Sequence, residues 1–185
     1  MKHFYESEKF EENWFTYGSL YQSVVKKFPT GSLFVEVGSW KGQSSSFMAV
    51  EIINSKKSID FFCVDTWEGS EEHDENQTEN LFEKFLKNIE PVSHYIKPLR
   101  MTSLQASKLF KDQSIDFCFI DAAHDYENVK KDILAWLPKI KTNGTIGGHD
   151  YHVDGAYWPG VLKAVQECIP QNQIQNEGDW WWYDV

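Results

Sequence analysis

Positive charge is what this chain has least of. Lys and Arg number 18 against 28 Asp and Glu, a formal net charge of −10. With no basic surplus to meet phosphates, neither a nucleic-acid partner nor an anionic membrane surface is expected. Cysteine is scarce too: Cys63, Cys118 and Cys168 are odd in number and far apart, and the first two sit inside apolar runs. They read as buried free thiols rather than a disulfide framework. No apolar run approaches the roughly 20 residues that span a bilayer. The segment from Met1 to Glu8 is polar and lacks the apolar core of a secretion signal, so a cytoplasmic location is the expectation. Two glycine fingerprints are also missing, the Gly-x-Gly-x-x-Gly of dinucleotide binders and the Gly-Lys-Ser/Thr of phosphate loops. No repeat, low-complexity stretch or linker divides the 185 residues. One domain is expected over 1–185.

What is present is apolar and aromatic, with eight Trp and thirteen Phe, a composition that argues for a packed core. Trp14, Phe15, Leu20, Val24 and Phe28 are spaced for one helical face, predicting a helix over 11–28 within an N-terminal helical extension, 1–30. Short apolar runs follow at 33–37, 60–65, 95–99, 115–120 and 145–148, alternating with helical segments near 43–54, 81–89, 103–110, 126–137 and 159–168. Lys141, Thr142, Asn143 and Gly144 read as a turn into the fifth run. A weak strand near 173–176 and a strong one at 180–185 flank the hairpin signal Glu177-Gly178-Asp179. This alternation predicts an α/β fold, Rossmann-like and doubly wound, with helices on both faces of a mostly parallel sheet. The acidic stretch 68–80 is too hydrophilic for core and reads as a lid loop.

Chemistry concentrates at the ends of the apolar runs. Glu36-x-Gly38-x-x-x-Gly42 stands where the first strand turns into a helix, and glycines there let backbone approach a ligand closely. A carboxylate in that place repels a pyrophosphate but suits a cationic ligand such as an amino acid or a sulfonium. Asp65, closing the second strand, can accept the hydroxyls of a ribose, and Trp67 could cover an adenine ring. Asp121 closes the fourth strand and His149-Asp150 the fifth. Asp121, His149 and Asp150 at one edge could bind a divalent metal, which would lower the pKa of a substrate hydroxyl. His124, with an ordinary pKa near 6.5, suits a general base. Asp125 reads as the cap of the next helix.

With these residues in view, the chain resembles the class I S-adenosylmethionine-dependent methyltransferases. It is most similar to a small group whose fourth strand reads Phe-Ile-Asp-x-x-His-x-Tyr and whose fifth ends in His-Asp-Tyr or Asp-Asp-Tyr. That group includes macrolide sugar O-methyltransferases and is distantly similar to the catechol O-methyltransferases. The resemblance runs from about 33 to 168. It is carried by Glu36, Gly38 and Gly42, by Val64-Asp65-Thr66-Trp67, by 119–126 and by 148–151. It implies a seven-stranded sheet with an antiparallel last strand, filled by 180–185. It further implies that Glu36, Gly38 and Gly42 surround the methionine part of S-adenosylmethionine, that Asp65 takes the ribose, and that Ser103 lies on the adenine side. His124 matches the catalytic base of the sugar-modifying relatives, beside Asp121. Metal-dependent relatives carry an Asp-Asp or Asp-Asn pair where this chain has His149-Asp150. Magnesium prefers oxygen ligands and an imidazole favours a transition metal. Either the metal differs, His149 is not a ligand, or the protein works without metal through His124.

The expectation is therefore methyl transfer to a small sugar-like or phenolic hydroxyl acceptor. Two rivals stand beside it: a nicotinamide-dependent oxidoreductase on a similar sheet, and a non-catalytic accessory protein that binds S-adenosylmethionine. The aromatic N-terminal helix and the C-terminal Trp cluster could supply an interface between copies.

Overall fold

Strands of three to nine residues pair into one sheet, with the central apolar runs buried by helices on both faces. The computed structural model describes residues 1–70, 73 and 75–185. Its strands are β1 (Leu33–Val37), β2 (Asp60–Asp65), β3 (Lys97–Arg100), β4 (Ile115–Ile120), β5 (Ile140–Gly148), β6 (Gln175–Glu177) and β7 (Trp180–Asp184). Among the described residues they form a seven-stranded sheet in the order β3-β2-β1-β4-β5-β7-β6. Neighbours from β3 to β5 are parallel, and β7 runs antiparallel between β5 and β6. The doubly wound, mostly parallel sheet expected from the sequence is the observed architecture.

Helices α1 (Gly18–Lys27), α2 (Gln43–Ser55) and α4 (Leu81–Ile89) cover one face, packing Tyr21, Met48 and Phe85 with Phe34, Phe61 and Phe117. Helices α5 (Ser103–Ser107), α6 (Tyr126–Trp136) and α7 (Pro159–Cys168) cover the other, packing Ala106, Ile133 and Val165 with Val35, Cys118 and Ile146. A short α3 (Glu75–Thr78) lies in the acidic stretch. The lid expected over 68–80 falls partly on Glu71, Glu72 and Asp74, outside the described residues. Cys63 and Cys118 are buried, Cys168 is partly exposed, and all three are free thiols. Among the described residues no helix is long and apolar enough to cross a membrane.

Two boundaries differ from expectation. The helix predicted over 11–28 is confined to Gly18–Lys27, and the Thr16 and Tyr17 side chains just before it make long-range hydrogen bonds. The turn expected at 141–144 is absorbed into β5 as an irregularity. Its pairing with β4 jumps from Ile115↔Ile140 to Phe117↔Thr145, and Asn143 takes a left-handed backbone.

Asp132 in α6 is buried and bonded to the Ser103 hydroxyl, which also accepts the Trp136 indole N–H at 2.9 Å. Burial pushes its carboxyl from 3.8 to about 6. Below pH 3.8 the group is protonated folded or unfolded, so burial carries no ionisation cost there. The cost grows as pH rises towards 6 and is full above it. Asp132→Asn, which can still accept from Ser103, is expected to raise stability at pH 8 by on the order of 2 kcal/mol and to change little at pH 4. Urea unfolding at the two pH values checks this.

Candidate active site

The strand order reverses between β1 and β4, since β2 and β3 lie on one side and β5 on the other. In such sheets the crevice outside the carboxyl ends of these strands is where ligands bind. Gly38 and Asp121 face each other across that point. The Gly38 N–H donates to the Val64 carbonyl at 2.8 Å and the Asp121 N–H to the Val37 carbonyl at 2.7 Å. Gly38 has φ +88°, and a Cβ there would lie 1.8 Å from the Asp121 carbonyl oxygen. Gly42 likewise has φ +84°, with its missing Cβ 2.7 Å from Ile89. Both glycines are demanded by the packing of this turn.

Asp65 organises the same turn. One oxygen accepts the Ser39 and Trp40 N–H groups, each at 2.9 Å, and the other accepts the Trp67 N–H at 2.7 Å. Burial drives its carboxyl up despite these bonds. The Thr66 N–H adds to these bonds, and the residue is partly exposed.

Glu36 is different: it is 0% exposed. β1 turns its side chain into the α1–α2 layer, where one oxygen accepts the Tyr21 hydroxyl at 2.8 Å and the other the Ser45 hydroxyl. Burial raises its pKa, with the Ser45 and Tyr21 bonds opposing. Glu36 therefore braces the glycine turn from behind and does not face the crevice. Trp67 is also core, 2% exposed, donating its indole N–H to the Trp40 carbonyl at 2.8 Å and packing on Phe82 and Phe85. No face of it is open to a ring. The Ser103 hydroxyl is committed to Trp136 and Asp132 rather than aimed at the crevice.

The fourth and fifth strand ends meet closely. His124 Nε2 lies 2.9 Å from Asp150 Oδ2, and the His124 ring stacks on Trp158 at 4.3 Å between centroids and 26° between planes. His149 Nδ1 lies 3.5 Å from Asp121 Oδ1 and 3.3 Å from Asp150 Oδ2. Its Nε2 lies 3.3 Å from Asp179 and 3.0 Å from the Thr16 hydroxyl. The Tyr17 hydroxyl donates to the other Asp121 oxygen at 2.8 Å. Burial opposes a charge on His149, but Asp121, Asp150 and Asp179 outweigh it and push its pKa up to about 12. Burial would raise Asp150, yet bonds from His124 and His149 hold it well below the usual carboxylate range. Asp125 caps α6, accepting the Asn128 N–H at 3.0 Å.

Trp40, Trp67, Asp150 and Trp158 all adopt left-handed backbones, at φ 45, 53, 58 and 46°. Side-chain-bearing residues seldom do so, and such conformations gather where function demands them. These four flank the same sheet edge.

Sequence reasoning missed three partners in this network. Thr16 and Tyr17 approach from the N-terminal segment and Asp179 from the β6–β7 turn. Asp179 shows only a hairpin signal locally, and Thr16 and Tyr17 carry no local signal at all. The N-terminal segment also grips the glycine turn from outside. Lys41, 1% exposed, pairs with Glu11 and, at 2.7 Å, with Glu12, and Gln43 donates to the Tyr5 carbonyl at 2.8 Å.

A family model described as "Methyltransferase domain" matches residues 35–151. The chain belongs to that family. It is the family that the strand-end motifs resemble, the class I S-adenosylmethionine-dependent methyltransferases. The chain is 28% identical over 119 residues to the uncharacterized protein y4gI of Sinorhizobium fredii, covering 64% of this chain but only 13% of that protein. Its fold is similar to cofactor-bound Rv0187 from MTB, with TM-score 0.67, 13% identity, and 97% and 85% of the two chains covered. It is also similar to the O-methyltransferase NovP (0.64, 15%, 90% and 78%). A third similar fold is CalS11, a TDP-rhamnose 3'-O-methyltransferase of calicheamicin biosynthesis (0.64, 13%, 90% and 76%).

The crevice fits the cofactor of this family in its donor chemistry. The carboxylates at 65, 121 and 150 suit a sulfonium cation and repel a pyrophosphate. One set of side chains among the described residues could also hold a divalent metal. Asp121, His124 and Asp150 bring ligand atoms within 4.8 Å of one another, and His149, expected from the sequence as a ligand, is not in that set.

Proposed function

We propose that this methyltransferase transfers a methyl group from S-adenosylmethionine to the hydroxyl of a small sugar-like or phenolic acceptor, with His124 as general base. The observation that carries this reading is the His124–Asp150 contact of 2.9 Å at the open edge of the sheet, beside the β1–β4 switch point. The O-methyltransferase activities of NovP and CalS11, which share the fold, add support.

The bound cofactor supplies an electrophilic methyl on a sulfonium. Displacement at that carbon needs an aligned hydroxyl whose proton has somewhere to go. His124 takes that proton, and Asp150 holds the ring in plane and stabilises the imidazolium formed. Trp158 fixes the ring from its other side by stacking. With Trp158 37% and Tyr157 68% exposed next to it, the acceptor meets an aromatic wall, which suits the apolar face of a sugar or a phenol ring. Gly38 and Asp65 shape the cofactor's side of the crevice, and Glu36 keeps the turn in place.

Calorimetry with S-adenosylhomocysteine, with NAD as the comparison ligand, tests the cofactor. Methyl transfer to a panel of sugar nucleotides and phenols tests the reaction. Binding of NAD in preference to S-adenosylhomocysteine would end the proposal. Trp158→Ala is expected to raise the acceptor KM by roughly 3- to 10-fold, the worth of one aromatic contact, and to leave S-adenosylhomocysteine affinity unchanged.

A further inference from the structure

We propose that the His149 side chain is the resident cation of this site, seated between Asp121 and Asp150, and that it closes this carboxylate pair to divalent metal. The inference rests on the reading of these strand ends as the acceptor side of a methyl-transfer site.

The geometry around the ring is two-sided. Nδ1 faces Asp121 at 3.5 Å and Asp150 at 3.3 Å, while Nε2 faces Asp179 at 3.3 Å and Thr16 at 3.0 Å. A nitrogen that faces carboxylates donates a proton to them, and a ring that donates from both nitrogens has no lone pair for a metal. His149 is 8% exposed, so a metal that displaced it would leave a buried imidazole without its counterions.

Three of the four carboxylate oxygens are engaged in turn, and Asp150 Oδ1 has only His152 near it, at 3.8 Å. The second Asp121 oxygen accepts from Tyr17 at 2.8 Å, and Asp150 Oδ2 is shared by His124 at 2.9 Å and His149. Magnesium demands near-octahedral oxygen ligation and keeps several waters. What metal-dependent relatives supply with an ion and an acidic pair, this chain supplies with a covalently attached charge. His149 is thus a positioning residue. Its single charge offsets part of that on Asp121 and Asp150 and leaves Asp150 aligned on His124.

The test titrates Mn²⁺ into the full-length protein, followed by calorimetry and by the electron paramagnetic resonance of free Mn²⁺. The wild type is expected to show no saturable uptake at millimolar metal. His149→Asp, which replaces the cation with a further carboxylate, is expected to take up one Mn²⁺ per chain with affinity at least about tenfold higher, and Asp121→Asn in that background should abolish it. Saturable one-to-one binding by the wild type that Asp121→Asn removes would overturn the proposal. So would a His149→Asp chain that melts cooperatively yet takes up no Mn²⁺. If His149→Asp does not fold, the wild-type titration and its Asp121→Asn counterpart decide alone. S-adenosylhomocysteine is titrated into the same samples. Its failure to bind would refute the proposed function without touching the metal result.

Discussion

Replacing His124 with alanine is expected to lower turnover by about 10²- to 10⁴-fold, the usual worth of a positioned general base, while S-adenosylhomocysteine binds as before. The two effects separate because His124 stands at the end of β4 against Asp150 and Trp158, whereas Gly38 and Asp65 line the ends of β1 and β2. The loss should be in kcat rather than in cofactor affinity, since proton removal matters only as the methyl moves. Asp150→Asn should show a smaller loss of the same kind, because the amide can still touch His124 but stabilises its charged form less. Single-turnover methylation with the best acceptor of the panel measures both. Undiminished turnover in His124→Ala would remove His124 from the mechanism.

Gly38→Ala is expected to destabilise the protein by at least about 3 kcal/mol, adding left-handed strain to overpacking. The new Cβ would stand 1.8 Å from the Asp121 carbonyl oxygen and 2.8 Å from the Ala122 Cα. Both are backbone of the neighbouring strand end, so neither can rotate away, and relief requires β1 and β4 to part where the crevice forms. Gly31 supplies the control. It has a similar φ of +85° but nothing within 4 Å of the added carbon, so Gly31→Ala should cost only about 1 kcal/mol. Urea midpoints for the two variants isolate the contribution of the close approach. In Gly38→Ala, S-adenosylhomocysteine affinity should fall with stability, while Gly31→Ala should keep it. Equal costs would mean that φ alone governs both positions.

Strand β4 shows how much of this site is legible in one dimension. Its apolar residues from Ile115 to Ile120 stop at Asp121, and that stop is the sheet edge in three dimensions as well. The same holds for Asp65 after β2 and for His149 and Asp150 after β5. Burial on both faces favours a mostly apolar run, so an ionisable residue just past its end marks where the chain leaves the core, although Asp116 in β4 and Glu36 in β1 are ionisable groups buried within their strands. Asp125 was legible as a cap because its capping partner, the Asn128 N–H, lies within three residues. The orientation of Glu36 and Trp67 was not, because both are turned inward by packing against residues distant in sequence, Tyr21 and Phe85 among them.

The sequence by itself determined the strand order's raw material, the glycine turn, and the set of acids and histidines delivered to one edge of the sheet. Periodicity and breaks in it are local properties, and those features depend on nothing further. Only the tertiary structure decided how that set is wired. Thr16 reaches His149 across 133 residues and Tyr17 reaches Asp121 across 104, and Asp179 arrives from the last hairpin to face His149. A contact of that span is created by the packing of whole elements. It leaves no trace in the residues beside it.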